Sequence, residues 1–122
     1  MANAINWFEI PANDFNRAVK FYGEVLGADI HVEEMAGAQY GFLPKEGEGV
    51  GGAIAKGDMF KPSTEGAKIY LNAGHDLSPF LERVETAGGK VVLPKTKVTD
   101  EIGYIAFFRD TEGNEVAFHS PS

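Results

Sequence analysis

The chain has no cysteine, one tryptophan in 122 residues, and fewer basic than acidic side chains, 11 Lys and Arg against 18 Asp and Glu. Without cysteine there is no disulfide framework and no thiolate for catalysis or metal binding. The formal net charge of −7 argues against a nucleic-acid partner, because phosphate binding needs clustered Lys and Arg. No apolar run approaches the roughly 18 residues of a membrane span, so no membrane partner is expected. The opening MANAINWFEI has no basic stretch followed by an apolar one. No secretory leader is therefore expected, and the cytoplasm is the expected compartment. A hydrophobic fraction of 43% is ordinary for a globular protein. One domain is expected over residues 1–122, burying about two-thirds of its unfolded surface.

What the chain does have is an internal repeat. DFNRAVKFYGEVLG (14–27) resembles DLSPFLERVETAGG (76–89), with Asp14 on Asp76 and Gly27 on Gly89 at an offset of 62. FLPKEGEGVGGAIA (42–55) aligns with AFFRDTEGNEVAFH (106–119) at an offset of 64, which puts Glu48-Gly49 on Glu112-Gly113 and Tyr40 on Tyr104. Two such units cannot each bury an apolar face alone, so they are expected to pack together around a cleft.

Each unit opens with a strand, 5–10 and 67–73. In the first, Trp7 and Glu9 share one face and Phe8 and Ile10 the other; in the second, Ile69 and Leu71 share a face. A helix follows each strand. Apolar residues at 15, 18, 19, 22, 25 and 26 fit the helical period. Asn13 or Asp14 can cap that helix and Gly27 can stop it. In the second, Asp76 or Ser78 can cap, Pro79 suits the first turn, and Gly88-Gly89 ends the helix. Strands are expected around 29–34, 39–44 and 50–55, with counterparts around 90–93, 103–109 and 114–119. The turn DTEGN (110–114) is a hairpin signal. Each unit thus reads βαβββ. The modules span 1–56 and 67–122, joined by a polar linker, 57–66, that contains Pro62.

The paired βαβββ units, the helix end Phe21-Tyr22-x-x-Val25-Leu26-Gly27 and the run FFRDTEGNEVAFH resemble the vicinal oxygen chelate superfamily, the glyoxalase/bleomycin-resistance/extradiol-dioxygenase group. The resemblance implies an α+β fold in which two modules form a curved mixed sheet around a cleft, with the helices on the outer face. It also implies a homodimer. Metal enzymes of the family place one His, Glu or Gln ligand on each of four strands. Carried over by position, those slots hold Trp7, Ala53, Ile69 and Ala117. None of these binds a divalent metal, so no metal and no cofactor is expected.

Two further readings stay open beside that one. Glu9 and His119, with Glu115 as a third ligand, would make a displaced metal site. Alternatively, Glu9 or His119 would act as a base in a metal-free lyase or isomerase of the same superfamily. Gly47, Gly49, Gly51 and Gly52 form no phosphate loop, since the Lys-Ser/Thr and the following helix are missing. Trp7 is either core filler or a stacking surface for a planar ligand. The first expectation is a bleomycin-resistance-like protein that binds an unidentified small, partly apolar molecule in the cleft between the modules, through Trp7, Glu9, Ile69, Leu71, Ala117 and His119. Whether it catalyses anything is left open by the sequence, as is a third role as an interaction module.

Overall fold

The computed structural model describes residues 3–122. The elements run β1 (Trp7–Pro11), α1 (Phe15–Leu26), β2 (His31–Met35), β3 (Ala38–Phe42), β4 (Gly51–Lys56), β5 (Tyr70–Asn72), α2 (Ser78–Thr86), β6 (Lys90–Thr99), β7 (Gly103–Arg109) and β8 (Glu115–Ser120). They form two four-stranded mixed sheets, ordered β1-β4-β3-β2 and β5-β8-β7-β6. In each sheet the first strand pairs parallel to the last, and the other pairings are antiparallel. This is the expected α+β arrangement of two βαβββ units.

The helix α1 forms where its apolar residues fall on one stripe. Phe15, Ala18, Phe21, Tyr22 and Val25 are buried. The Asp14 carboxylate accepts the Arg17 N–H at 3.1 Å, which satisfies one of the donors every helix start leaves free. Gly27 ends the helix at φ +64, a left-handed conformation that costs glycine little. The second helix is shorter. Asp76 accepts the Ser78 N–H at 2.9 Å, Pro79 lies in the first turn, and Gly89 donates back to the Val84 carbonyl at 2.9 Å.

One apolar core draws on both repeats. Ile10, Ile54, Phe21 and Tyr22 from the first join Leu77, Val84, Phe108 and Phe118 from the second. Phe21 stands edge-on to Tyr22 at 4.9 Å, and Phe108 stacks on Phe118 at 4.7 Å. A buried polar cluster ties the halves together beside this core. Glu112, in the turn between β7 and β8, accepts the backbone N–H groups of Asn13 and Asp14 at 2.9 and 2.6 Å. It also accepts Arg17 Nε at 2.7 Å. Asp110 takes the Tyr22 hydroxyl at 2.7 Å, and the Asn114 amide donates to the Pro11 carbonyl at 2.7 Å. The turn of one module therefore holds the start of the other module's helix.

Two elements differ from expectation. The strand expected over 67–73 is regular only over Tyr70–Asn72. The strand expected around 90–93 runs on through Thr99, with register shifts on either side of Leu93 and again before Thr99. Pro94 is tolerated there because β6 is an edge strand, where a missing N–H faces no partner.

Candidate functional site

The site is built from the sheet faces turned away from the helices. Side chains alternate along a strand, so Ile10 in the core and Phe8 against it leave Trp7 and Glu9 on the other face of β1. Strand register extends that face across the first sheet. Glu9 lies opposite Ala53, Ala53 opposite Phe42, and Phe42 opposite His31. The next row is Pro11, Ala55, Tyr40 and Glu33. The central strand β4 shows only Gly51, Ala53 and Ala55 here. With nothing larger than a methyl between them, the rings of β1 and β3 lean together over β4. Trp7 and Phe42 are 6.0 Å apart at 59°, and His31 stacks on Phe42 at 6.0 Å and 21°. Trp7 remains 42% exposed. Its indole N–H donates to Glu9 Oε2 at 3.4 Å. The linker reaches the same face, where Phe60 stands edge-on to Tyr40 at 6.2 Å. Met59 covers nothing and is exposed.

In the second sheet the rows are Tyr70, Ala117, Phe107, Leu93 and then Asn72, His119, Ile105, Thr96. Tyr70 and Phe107 meet at 6.1 Å. Lys68 pairs with Glu115 and holds its ammonium 4.0 Å above the Phe107 ring. His119 Nε2 lies 2.6 Å from the Ile102 carbonyl. That nitrogen must carry the proton, since a carbonyl only accepts.

Of the six expected binding residues, Trp7, Glu9, Ala117 and His119 lie on these open faces. Ile69 and Leu71 do not. Leu71 is opposite Phe118 and buried in the core, and Ile69 packs against that core. The reason is one extra residue in the second strand–helix loop. Ala12 donates to the Ala55 carbonyl and Ala73 to that of His119, so these two alanines are equivalent, at an offset of 61. The helices still match at 62, because Gly74-His75-Asp76 replaces Asn13-Asp14. A slip of one reverses every side chain of a strand, so Tyr70 and Asn72 take the face assigned to Ile69 and Leu71. Phe42, Tyr40 and His31 also lie on the first of these faces, set there by the alternation of β2 and β3.

The metal that this fold accommodates elsewhere has no suitable donors. By register, the positions beside one another on the two faces are Glu9 with Ala53 and Tyr70 with Ala117. That is one carboxylate, one phenol and two methyl groups. Glu115, the third ligand of a displaced site, is committed to Lys68. Among the described residues no group of three or more His, Cys, Asp or Glu side chains is placed to hold a metal ion. Among the described residues no helix is long and apolar enough to cross a membrane.

Comparison with known proteins agrees with this architecture. A "Glyoxylase-like domain-containing protein" of Didymella fabae is 32% identical over 120 residues, covering 90% of this chain and 88% of the relative. Glyoxalase I from Zea mays superposes with a TM-score of 0.70 at 20% identity, over 95% of this chain and 45% of the maize chain. This chain therefore spans less than half of that enzyme. An antibiotic binding protein from Streptomyces sp. CB03234 superposes with a TM-score of 0.66 at 24% identity, covering 100% of this chain and 99% of the other. The model of the Glyoxalase/Bleomycin resistance protein/Dioxygenase superfamily matches residues 4–118, and the chain belongs to that superfamily.

Proposed function

We propose that this protein binds a small, partly apolar molecule on the open sheet faces, without using a metal. The observation that carries the reading is Trp7, a large aromatic side chain left 42% exposed beside Gly51 and Phe42, with the Glu9 carboxylate at its edge. Small-molecule sites combine apolar surface with a few oriented polar groups, and Glu9 supplies one beside Trp7. That the described residues bring no group of metal donors together favours this reading over a metal-dependent lyase. The fold shared with an antibiotic binding protein supports binding without turnover. We also propose that the chain pairs into a homodimer. Tyr70, Val98 and Ile102 leave apolar surface exposed on the second module. Sedimentation at micromolar concentration should then give twice the 13.2 kDa chain mass, and a monomer alone would contradict the pairing.

Trp7 is the sole tryptophan, so its fluorescence reports this face alone. A compound library should contain molecules that change it saturably. Calorimetric titration of those compounds into Trp7→Ala should show binding weakened about tenfold or more, the scale of a lost aromatic contact. Equal binding by wild type and Trp7→Ala would remove Trp7 from the site. A library without a single binder would leave the reading unsupported and move the interaction-module role ahead.

A further inference from the structure

Resting on that reading, we propose that the ligand of the first sheet's open face is a planar organic cation, held against the Trp7–Phe42 rings with Glu9 at the indole edge and Glu33 in the adjoining row, beside His31. The argument comes from comparing the two repeats position by position. Phe42 lies opposite Ala53 and Phe107 opposite Ala117, so the two phenylalanines occupy equivalent places. Trp7 lies two residues before the partner of Ala53, and Lys68 two residues before the partner of Ala117. In the second repeat, Lys68 places an ammonium 4.0 Å above the Phe107 ring and pairs with Glu115. Ring, cation and carboxylate are satisfied there from within the chain. In the first repeat Trp7 takes the lysine's place and Gly51 that of Glu115, so the ring there has no lysine from its own repeat and the carboxylate beside it is Glu9 instead.

The electrostatics of the first face fit that gap. Aromatic faces carry negative potential and attract cations, tryptophan most strongly. Glu9 lies at the indole edge, and Glu33 is 2.8 Å from His31, whose ring stacks on Phe42. The nearby ammonium, that of Lys45, is turned onto the Gly47 carbonyl at 2.6 Å. Its stem packs beside Gly51. A flat ligand is favoured over a bulky one, because the rings already meet at 6.0 Å and the half-exposed Trp7 indole offers a face for stacking.

The test follows the indole N–H resonance of Trp7 during titration with three probes of one shape at neutral pH: N-methylquinolinium, neutral quinoline and quinoline-2-carboxylate. N-methylquinolinium is expected to shift the resonance saturably, with quinoline weaker by about threefold to tenfold and the carboxylate weaker again. Glu9→Gln should bring the cation down to the level of quinoline, and Phe42→Leu should weaken both. Equal binding of cation and neutral probe would overturn the charge assignment while leaving small-molecule binding intact. Failure of all three probes would overturn the proposal, and the compound library then judges the broader reading on its own. A resonance that moves with protein concentration but not with probe would mean that a second copy covers this face, which also overturns the proposal.

Discussion

Glu112 joins the two repeats through a single carboxylate. Its side chain is 1% exposed against Arg17. Burial pushes its pKa up, but Arg17, the Asp14 N–H, the Thr111 hydroxyl and the Asn13 N–H together hold it below the usual range. The unfolded chain therefore takes up a proton, near the ordinary glutamate value of about 4.3, that the folded chain resists. The stabilisation is present above that value and disappears as pH falls through the lower folded pKa. Asp76 acts in the same direction, lowered by the Ser78 N–H and by Lys95. Urea unfolding across an acidic pH series should show wild type losing stability below the glutamate range. Glu112→Gln should cost about 2 kcal/mol at neutral pH, the scale of charged hydrogen bonds lost in a buried place, and should flatten the acid limb. A variant with unchanged stability and an unchanged limb would show that this carboxylate does not hold the halves. Tyr22 offers a second check. Burial and the Asp110 charge raise its pKa well above the usual value, so Tyr22→Phe should lose about 1 kcal/mol with no pH dependence near neutrality. Only part of this was legible beforehand. DTEGN announced a turn, but the reach of Glu112 to residues 13–17 depends on how the modules dock, which no local pattern encodes.

Among the elements, β1 and β4 show most clearly what pattern can and cannot give. Alternation in INWFEI placed Phe8 and Ile10 inward and Trp7 and Glu9 outward, as found, because a single face of that strand meets the helix layer. β4 is small along its outer face and at one inner position, for two different reasons. On the inner face Phe8 lies flat across Gly52, where a Cβ would come within 2.4 Å of its ring. On the outer face Gly51, Ala53 and Ala55 leave space for the Trp7–Phe42 contact. Gly52→Ala should therefore destabilise by about 1–3 kcal/mol, the range for overpacking a filled core. The companion Phe8→Leu should relieve most of it, since the clash is with the ring alone. Chemical denaturation of the single and double variants measures this, and additive losses would contradict it. β5 and β6 were less legible. In β5 the inserted loop residue shifted the face by one, and internal alignment anchored on the helices could not detect it. In β6 the bulges around Pro94 break the period that a sequence reading relies on.

At the scale of the molecule, the repeats share a plan but not their fastening. Glu48 is the sequence counterpart of Glu112, yet its turn is exposed. The residue matching Arg17 at the helix offset is Pro79, which has no charge to offer. The modules are thus held by the Glu112 clasp, by Arg83 Nε donating to the Val25 carbonyl at 2.9 Å, and by one continuous core, so residues 3–122 should unfold as a single unit. Calorimetry should give one transition whose van't Hoff and calorimetric enthalpies agree. Two separable transitions would show that the modules are independent domains. Architecture was legible because repetition, period and turn chemistry agree along the chain, whereas function was less so because this fold hosts many activities and the site alone distinguishes them. The proposed site presents Trp7, Phe42 and Glu9, and the described residues bring no group of metal donors together. The most direct measurement is a calorimetric titration of the tightest-binding library compound into protein before and after exhaustive chelation. The account predicts the same affinity and stoichiometry in both. Binding that vanishes on chelation and returns with a divalent metal would contradict it.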